Sequence, residues 1–168
     1  LLESNSFSEL SKCNEYLMPK KGDKVLITSV KLSLKELKET FSFPFLYFDH
    51  ETPLEITNSY KTPKTLGLDR LAGVIGARAF KSEENILVID MGTCITYDFL
   101  NKKNIYLGGA ISPGLKMRAR AMHEFTARLP LINVQNQEIP YLGTDTASCM
   151  ASGIYHGIAE EIKGFIQR

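Results

Sequence analysis

ILVIDMGTCITYDFL, residues 86–100, reads as two β-strands joined at a glycine turn. Branched and aromatic residues fill both arms, as strands prefer. A simple hairpin would need only Asn-Gly or Asp-Gly at its turn. Here Asp90, Thr93, Thr96 and Asp98 gather around Gly92 instead. Thr96 and Asp98 alternate with Ile95, Tyr97 and Phe99, so they share one face. Such a turn directs backbone N–H groups and the Thr93 hydroxyl into a small concavity that suits a phosphate. Gly92 would let the anion approach closely and supply a positive φ. Asp90, at the strand end, could hold a cation beside it. The structural alternative is an Asx turn in which Asp90 bonds its own backbone.

Working outward, KVLITSV (Lys24–Val30) reads as a buried strand. Ser33 and Glu36 have capping-box spacing and open a helix to about Phe41, and FLYF (Phe45–Phe48) is the next strand. Strand, helix, strand implies a three-layer α/β arrangement. A long connection over 49–68, with Pro53, Tyr60, Pro63 and Gly67, has the length of a functional loop. A helix follows from Arg70 to about Phe80, with Leu71, Val74, Ile75 and Ala79 on its apolar side. After the hairpin come a polar turn (Asn101–Asn104), a strand YLGGAIS (Tyr106–Ser112) and a helix that ends before Pro130. LINV (Leu131–Val134) reads as a short edge strand, and Thr144–Gln167 as a long final helix.

Three further groups stand out. In GLDR (Gly67–Arg70), Asp69 has the N-cap position, a structural role. Arg70 in the first turn opposes the helix dipole unless it grips an anion. A substrate carboxylate would account for it and leave Asp69 free to take a hydroxyl proton. GGAISPG (Gly108–Gly114) places adjacent glycines in a strand, which implies close approach by a ligand or another backbone. In the helix after it, a face with Met122 and Phe125 fits a solvated helix or a dimer contact. In TDTASCMASGIYHG (Thr144–Gly157), Thr144 or Asp145 caps a helix kept thin by Ala147, Ala151, Gly153 and Gly157. Thr146 lies in its first turn, where N–H groups can meet a ligand.

Composition narrows the classes. A formal charge of +1 over 168 residues gives no electrostatic case for nucleic acid. No apolar run is long enough for a membrane helix. Cys13, Cys94 and Cys149 are scattered, against a disulfide framework or a zinc site and in keeping with a reducing cytoplasm. The chain opens on Leu1 and closes on Arg168 inside a helical pattern, so it reads as part of a longer protein.

Taken in order, Tyr60, GLDR, DMGTCIT, GGAISPG with TARLP (Thr126–Pro130), and GTDTASCMASG resemble type III pantothenate kinase. The resemblance implies an actin-like (ribonuclease H-like) ATPase fold of two related three-layer α/β domains with a cleft between, incomplete here. Residues 1–80 would be the remainder of the first domain, lacking its first phosphate loop, and 81–168 part of the second. It implies ATP-dependent phosphorylation of pantothenate to 4′-phosphopantothenate, opening coenzyme A biosynthesis in the cytoplasm. Asp69 would be the catalytic base. Tyr60, Gly67, Leu68, Asp69, Arg70 and Thr146 would contact pantothenate, Gly92 and Thr93 would bind ATP, and Asp90 would hold a monovalent cation (K⁺ or NH₄⁺). Mg²⁺ would accompany ATP, and a homodimer would close the site. The family usually has Asn where this chain has Asp145, which adds a carboxylate near an anionic substrate. Rival readings are a non-catalytic transcriptional accessory protein on the same fold and another small-molecule kinase of the superfold. The kinase reading expects Asp69, Arg70 and the hairpin to share one cavity.

Overall fold

The computed structural model describes residues 5–29, 31–81, 83–134 and 138–168. The chain divides into two compact units, one up to Pro53 and one from Leu54 onward.

The first unit contains α1 (Leu10–Tyr16), β1 (Leu26–Ile27), α2 (Leu34–Thr40) and β2 (Leu46–Tyr47). The strands pair in parallel, Leu26 with Leu46 and Ile27 with Tyr47, so the strand–helix–strand expectation holds. Ser33 and Glu36 form the expected capping box. Leu37, Phe41 and Phe48 are buried, and Phe41 packs against Phe43 at 5.2 Å. The strand expected over Lys24–Val30 is only two residues long, and Leu26 is 59% exposed rather than buried. A two-stranded sheet gives each strand a single ladder partner, which cannot hold a long buried run. Val30 lies outside the described residues. Helix α1 has no buried residue.

The second unit holds β3 (Thr57–Asn58), a 3-10 turn (Pro63–Thr65), α3 (Leu68–Phe80), β4 (Ile86–Met91), β5 (Cys94–Leu100), β6 (Ile105–Pro113), α4 (Leu115–Glu124) and α5 (Thr146–Ile166). Its sheet runs β3-β6-β5-β4; β3 and β6 are parallel and the other pairs antiparallel. Both faces carry helices. Ile95 and Tyr97 join Ala119 of α4 and Ala151, Ile154 and Ile158 of α5 in one core. The opposite face meets α3, where Gly73 packs toward Val88 and Arg70 bonds Asp98.

LINV is not an edge strand. Residues 131–134 form no ladder; Val134 is instead buried in the α4–α5 core, with Ile132 packed against it. The paired glycines of β6 answer to protein, not to a ligand. Gly108 has φ +99° and lies 3.5 Å from the Tyr60 ring, measured from where a Cβ would stand. A Cβ on Gly109 would run into the Tyr97 carbonyl. Gly153 and Gly157 are exposed on α5, so of the small residues named there it is Ala151 that packs into the core.

Candidate functional site

Helix α3 begins two residues earlier than an Asp69 N-cap would require. Gly67 is its N-cap and makes no side-chain capping bond. Asp69 falls in the first turn, exposed, and its side chain makes no hydrogen bond or ion pair among the described residues. The N-cap role is therefore excluded, and the carboxylate is free. Gly67 stands close beside it: a Cβ there would meet Asp69 Oδ1, and the exposed carboxylate would have to turn aside. Leu68 is buried, so only its backbone can reach a substrate.

Arg70 turns the other way. It is buried at 8% exposure and donates from Nε to Asp98 Oδ1 and Oδ2 (3.0 and 3.2 Å) and from Nη2 to Oδ1 (2.7 Å). The Tyr106 hydroxyl donates to the same Oδ1 at 2.6 Å, and Arg70 Cζ stands 6.0 Å from the Tyr60 ring centre. Burial disfavours the guanidinium charge, but the Asp98 carboxylate more than offsets it, so the Arg70 pKa is raised. Burial, then the bond to Asp98, raises that of Tyr106 as well. The anion that the sequence assigned to a substrate is thus Asp98 of β5. Any contact between Arg70 and a substrate is left to Nη1 or the backbone.

The contacts along α3 fix its direction. Arg78, in the last turn, donates to the carbonyls of Glu84 and Asn101, where β4 begins and β5 ends. Gly73 sits by Val88, and Arg70 by Asp98, which pairs with Val88 in register. Helix α3 therefore aims its N-terminus, with Asp69, toward the hairpin end of the sheet. Strand alternation puts Asp90 and its partner Thr96 on that same face, beyond Asp98. Asp90 is exposed, and its side chain makes no hydrogen bond or ion pair among the described residues.

The hairpin tip opens differently. Met91, Gly92, Thr93, Ile95, Gly114, Leu115 and Lys116 line a cleft of about 380 Å³. Ile95 faces the α4–α5 core, so this cleft lies on the side away from α3. The expected single cavity holding Asp69, Arg70 and Thr93 is not formed by it; the two groups flank the hairpin end, and the hairpin is their common element. Gly92 does not have a positive φ, and a Cβ on it would meet nothing closer than the Cys94 carbonyl at 3.6 Å. The glycine requirement falls on Gly114, where a Cβ would stand 2.5 Å from the Gly92 carbonyl and 2.7 Å from that of Thr93. Gly114 caps α4 without a side-chain bond, which leaves first-turn N–H groups at the cleft.

Two features were missed in the sequence. Arg118 of α4 joins Glu161 of α5, while Tyr97 and Ser112 donate to Glu161 at 2.7 and 3.0 Å. Arg118 Nε also donates to the Pro113 carbonyl at 2.7 Å, so this clasp holds the strand end beside the cleft. The Asp98 partnership was the other; an Asp on an inward-facing strand position must find a cation. At α5, Asp145 is the N-cap, in a capping box with Ser148. Its carboxylate accepts the Ser148 N–H, which lowers its pKa. Thr146 is exposed at the first position of α5. It lies about 22 Å along the helix axis from Glu161, at 1.5 Å per residue, and on the face opposite α3. Within one chain it does not join Asp69.

Residues 3–168 match the family model of type III pantothenate kinase. The chain belongs to that family. A type III pantothenate kinase of Phocaeicola vulgatus is 39% identical over 154 residues, 92% of this chain and 63% of that protein. One from Bacteroides fragilis is 43% identical over the same shares, and one from Flavobacterium johnsoniae 49% over 120 residues, 71% of this chain and 49% of its own length. The chain thus spans 63% of the first two type III pantothenate kinases. A solved structure from Campylobacter jejuni, assigned to the Baf family of transcriptional activators, has a TM-score of 0.58 at 23% identity and covers 92% of this chain and 68% of its own. That likeness is one of fold.

Proposed function

We propose that the full-length protein transfers the γ-phosphoryl group of ATP to the primary hydroxyl of pantothenate, giving 4′-phosphopantothenate and ADP. The observation that carries this reading is the unpaired Asp69 carboxylate at the N-terminus of a helix aimed at the hairpin. In the transfer the hydroxyl oxygen forms a bond to phosphorus as the bond to the ADP oxygen breaks. Asp69 accepts the hydroxyl proton. Such reactions rest on positioning and charge stabilisation more than on covalent chemistry.

Gly67, the Leu68 backbone, Asp69 and Tyr60 would wall the pantothenate side, with Arg70 completing the wall through whatever Asp98 leaves free. Gly92, Thr93 and the first-turn N–H groups of α4 would meet phosphate oxygens. Asp90 is a single free carboxylate, and no group of three His, Cys, Asp or Glu that could hold a metal occurs among the described residues. That fits a loosely held monovalent cation, K⁺ or NH₄⁺, more than a caged divalent ion; Mg²⁺ would arrive with ATP. Bound there, the cations supply charge compensation for the phosphates. Thr146 enters this reading only across a homodimer, since it is remote from Asp69 in its own chain.

We read the parent fold as actin-like, with residues 1–80 from one α/β domain and 81–168 from a second. That assignment concerns the repeat structure of the whole protein, because in this chain α3 packs with β4 and β5. A place in coenzyme A biosynthesis implies the cytoplasm. A free Asp69 favours an enzyme over a non-catalytic relative. The test is ADP release by the full-length protein with ATP and pantothenate, in K⁺ against Na⁺. Pantothenate-dependent release, faster in K⁺, is expected; none in either salt would overturn the proposal.

A further inference from the structure

We infer that Asp98 is a positioning residue for the GLDR turn: with Tyr106 it holds the Arg70 guanidinium inside the protein and so keeps the Asp69 carboxylate unpaired. Where turnover is concerned, this rests on the proposed kinase function.

Asp69 and Arg70 are consecutive, and both side chains lie against the Gly67 α-carbon, Arg70 Cδ at 3.8 Å from where a Cβ would stand. A guanidinium on that stem, left without another partner, has the adjacent Asp69 carboxylate to pair with. An opposite charge brought within about 4–6 Å lowers a carboxylate pKa by about 1–3 units, which weakens the group as a proton acceptor. Asp98 prevents this. Its side chain is 1% exposed and takes both Nε and Nη2, while the Tyr106 hydroxyl saturates Oδ1. The groups facing Arg70 are therefore Asp98 from β5, Tyr106 from β6, Tyr60 from the segment before α3, and Asp69 beside it. Asp90 shares the sheet face from β4.

Packing alone does not require this arrangement. A buried ion pair is often no more stabilising than apolar residues of the same volume. What the charge on Asp98 adds is the direction in which Arg70 points. Two elements are joined by it, because the pair ties the first turn of α3 to the strand that carries Thr96 toward the hairpin.

The experiment uses the full-length protein and the variants Asp98→Asn and Asp98→Glu. In Asp98→Asn the acid limb of the kcat/KM profile for pantothenate is expected to move down by about one pH unit or more. In Asp98→Glu it stays near the wild-type position, because the counter-charge is kept. A limb unmoved in Asp98→Asn, with activity merely lowered, overturns the inference. Asp69→Asn supplies a second arm, since that exposed change does not threaten folding. There the Arg70 Nε–H resonance in an NMR spectrum stays in place if Arg70 belongs to Asp98, and a clear shift overturns the inference. This arm needs no turnover, so it separates failure of the inference from failure of the kinase reading.

Discussion

Replacing Glu161 with Ala removes the acceptor by which α5 is joined to three other elements. Tyr97 of β5, Ser112 of β6 and Arg118 of α4 all donate to this α5 carboxylate. Hydrogen bonds to a charged group contribute about 1.5–3 kcal/mol each. The full sum is not lost, because the Arg118 and Glu161 side chains keep 21% and 26% of their surface in water. Arg118 also retains the Pro113 carbonyl and the Ser112 hydroxyl. Tyr97 is fully buried and would lose its acceptor. A net loss of about 3 kcal/mol follows, about 1–2 M in urea midpoint for a chain of this size. Circular dichroism across a urea series reads it, and a loss below about 1 kcal/mol would refute the clasp as a stabilising device. The pH dependence has a definite sign. Burial raises the Glu161 pKa, but the bonds from Arg118, Tyr97 and Ser112 outweigh it, so the net shift is below the ordinary 4.5. The contribution is therefore present above that value and is lost as pH falls through the folded-state pKa. Stability curves of the wild type and Glu161→Gln should converge in acid; curves that stay parallel would contradict the assignment. Burial and the bond to Glu161 push the Tyr97 hydroxyl up to about 12, so it stays a donor throughout this range.

Gly114→Ala sets a Cβ against the Gly92 and Thr93 carbonyls, so the hairpin must move away from α4. Overpacking of this kind costs about 1–3 kcal/mol, and the KM for ATP should rise with it; an unchanged melting curve and KM would contradict the close approach. Asp145→Ala removes the α5 capping box and should lower the melting temperature at neutral pH. Because the Ser148 N–H holds the Asp145 pKa below its ordinary 3.8, the difference should shrink as pH falls through the folded-state value, and melts at two pH values check it.

Much of the second unit was legible because its signals are local. Alternation over Ile86–Leu100, the Asn101–Asn104 turn and the Asp145 cap are each decided by neighbours in sequence. The Ser33–Glu36 box in the first unit is of the same kind. What escaped depends on partners distant in sequence. LINV has strand-like residues, yet a buried Val134 packs with α5 instead of pairing. Lys24–Val30 is branched enough for a long strand, but a two-stranded ladder supports only Leu26 and Ile27. In the site, the N-cap expected of Asp69 is Gly67, and the anion expected for Arg70 is Asp98 and not a substrate. Asp69 is the free group, and Arg70 is the one with an internal partner. That partner, Asp98, was marked by its place in the alternation, but no spacing rule links it to a helix twenty-eight residues earlier. The single cavity expected for acid and hairpin became two surfaces flanking one hairpin, because Thr93 at the tip opens toward α4 while Asp90 and Thr96 face α3.

The most direct test of the account is Asp69→Asn in the full-length protein, with pantothenate binding by calorimetry and ADP release measured on the same sample. Binding should persist, because the exposed carboxylate supports no element of the fold, while turnover falls by about 10²–10⁴, the range for loss of a general base. Turnover close to that of the wild type would show that the free carboxylate at the start of α3 does not take the proton.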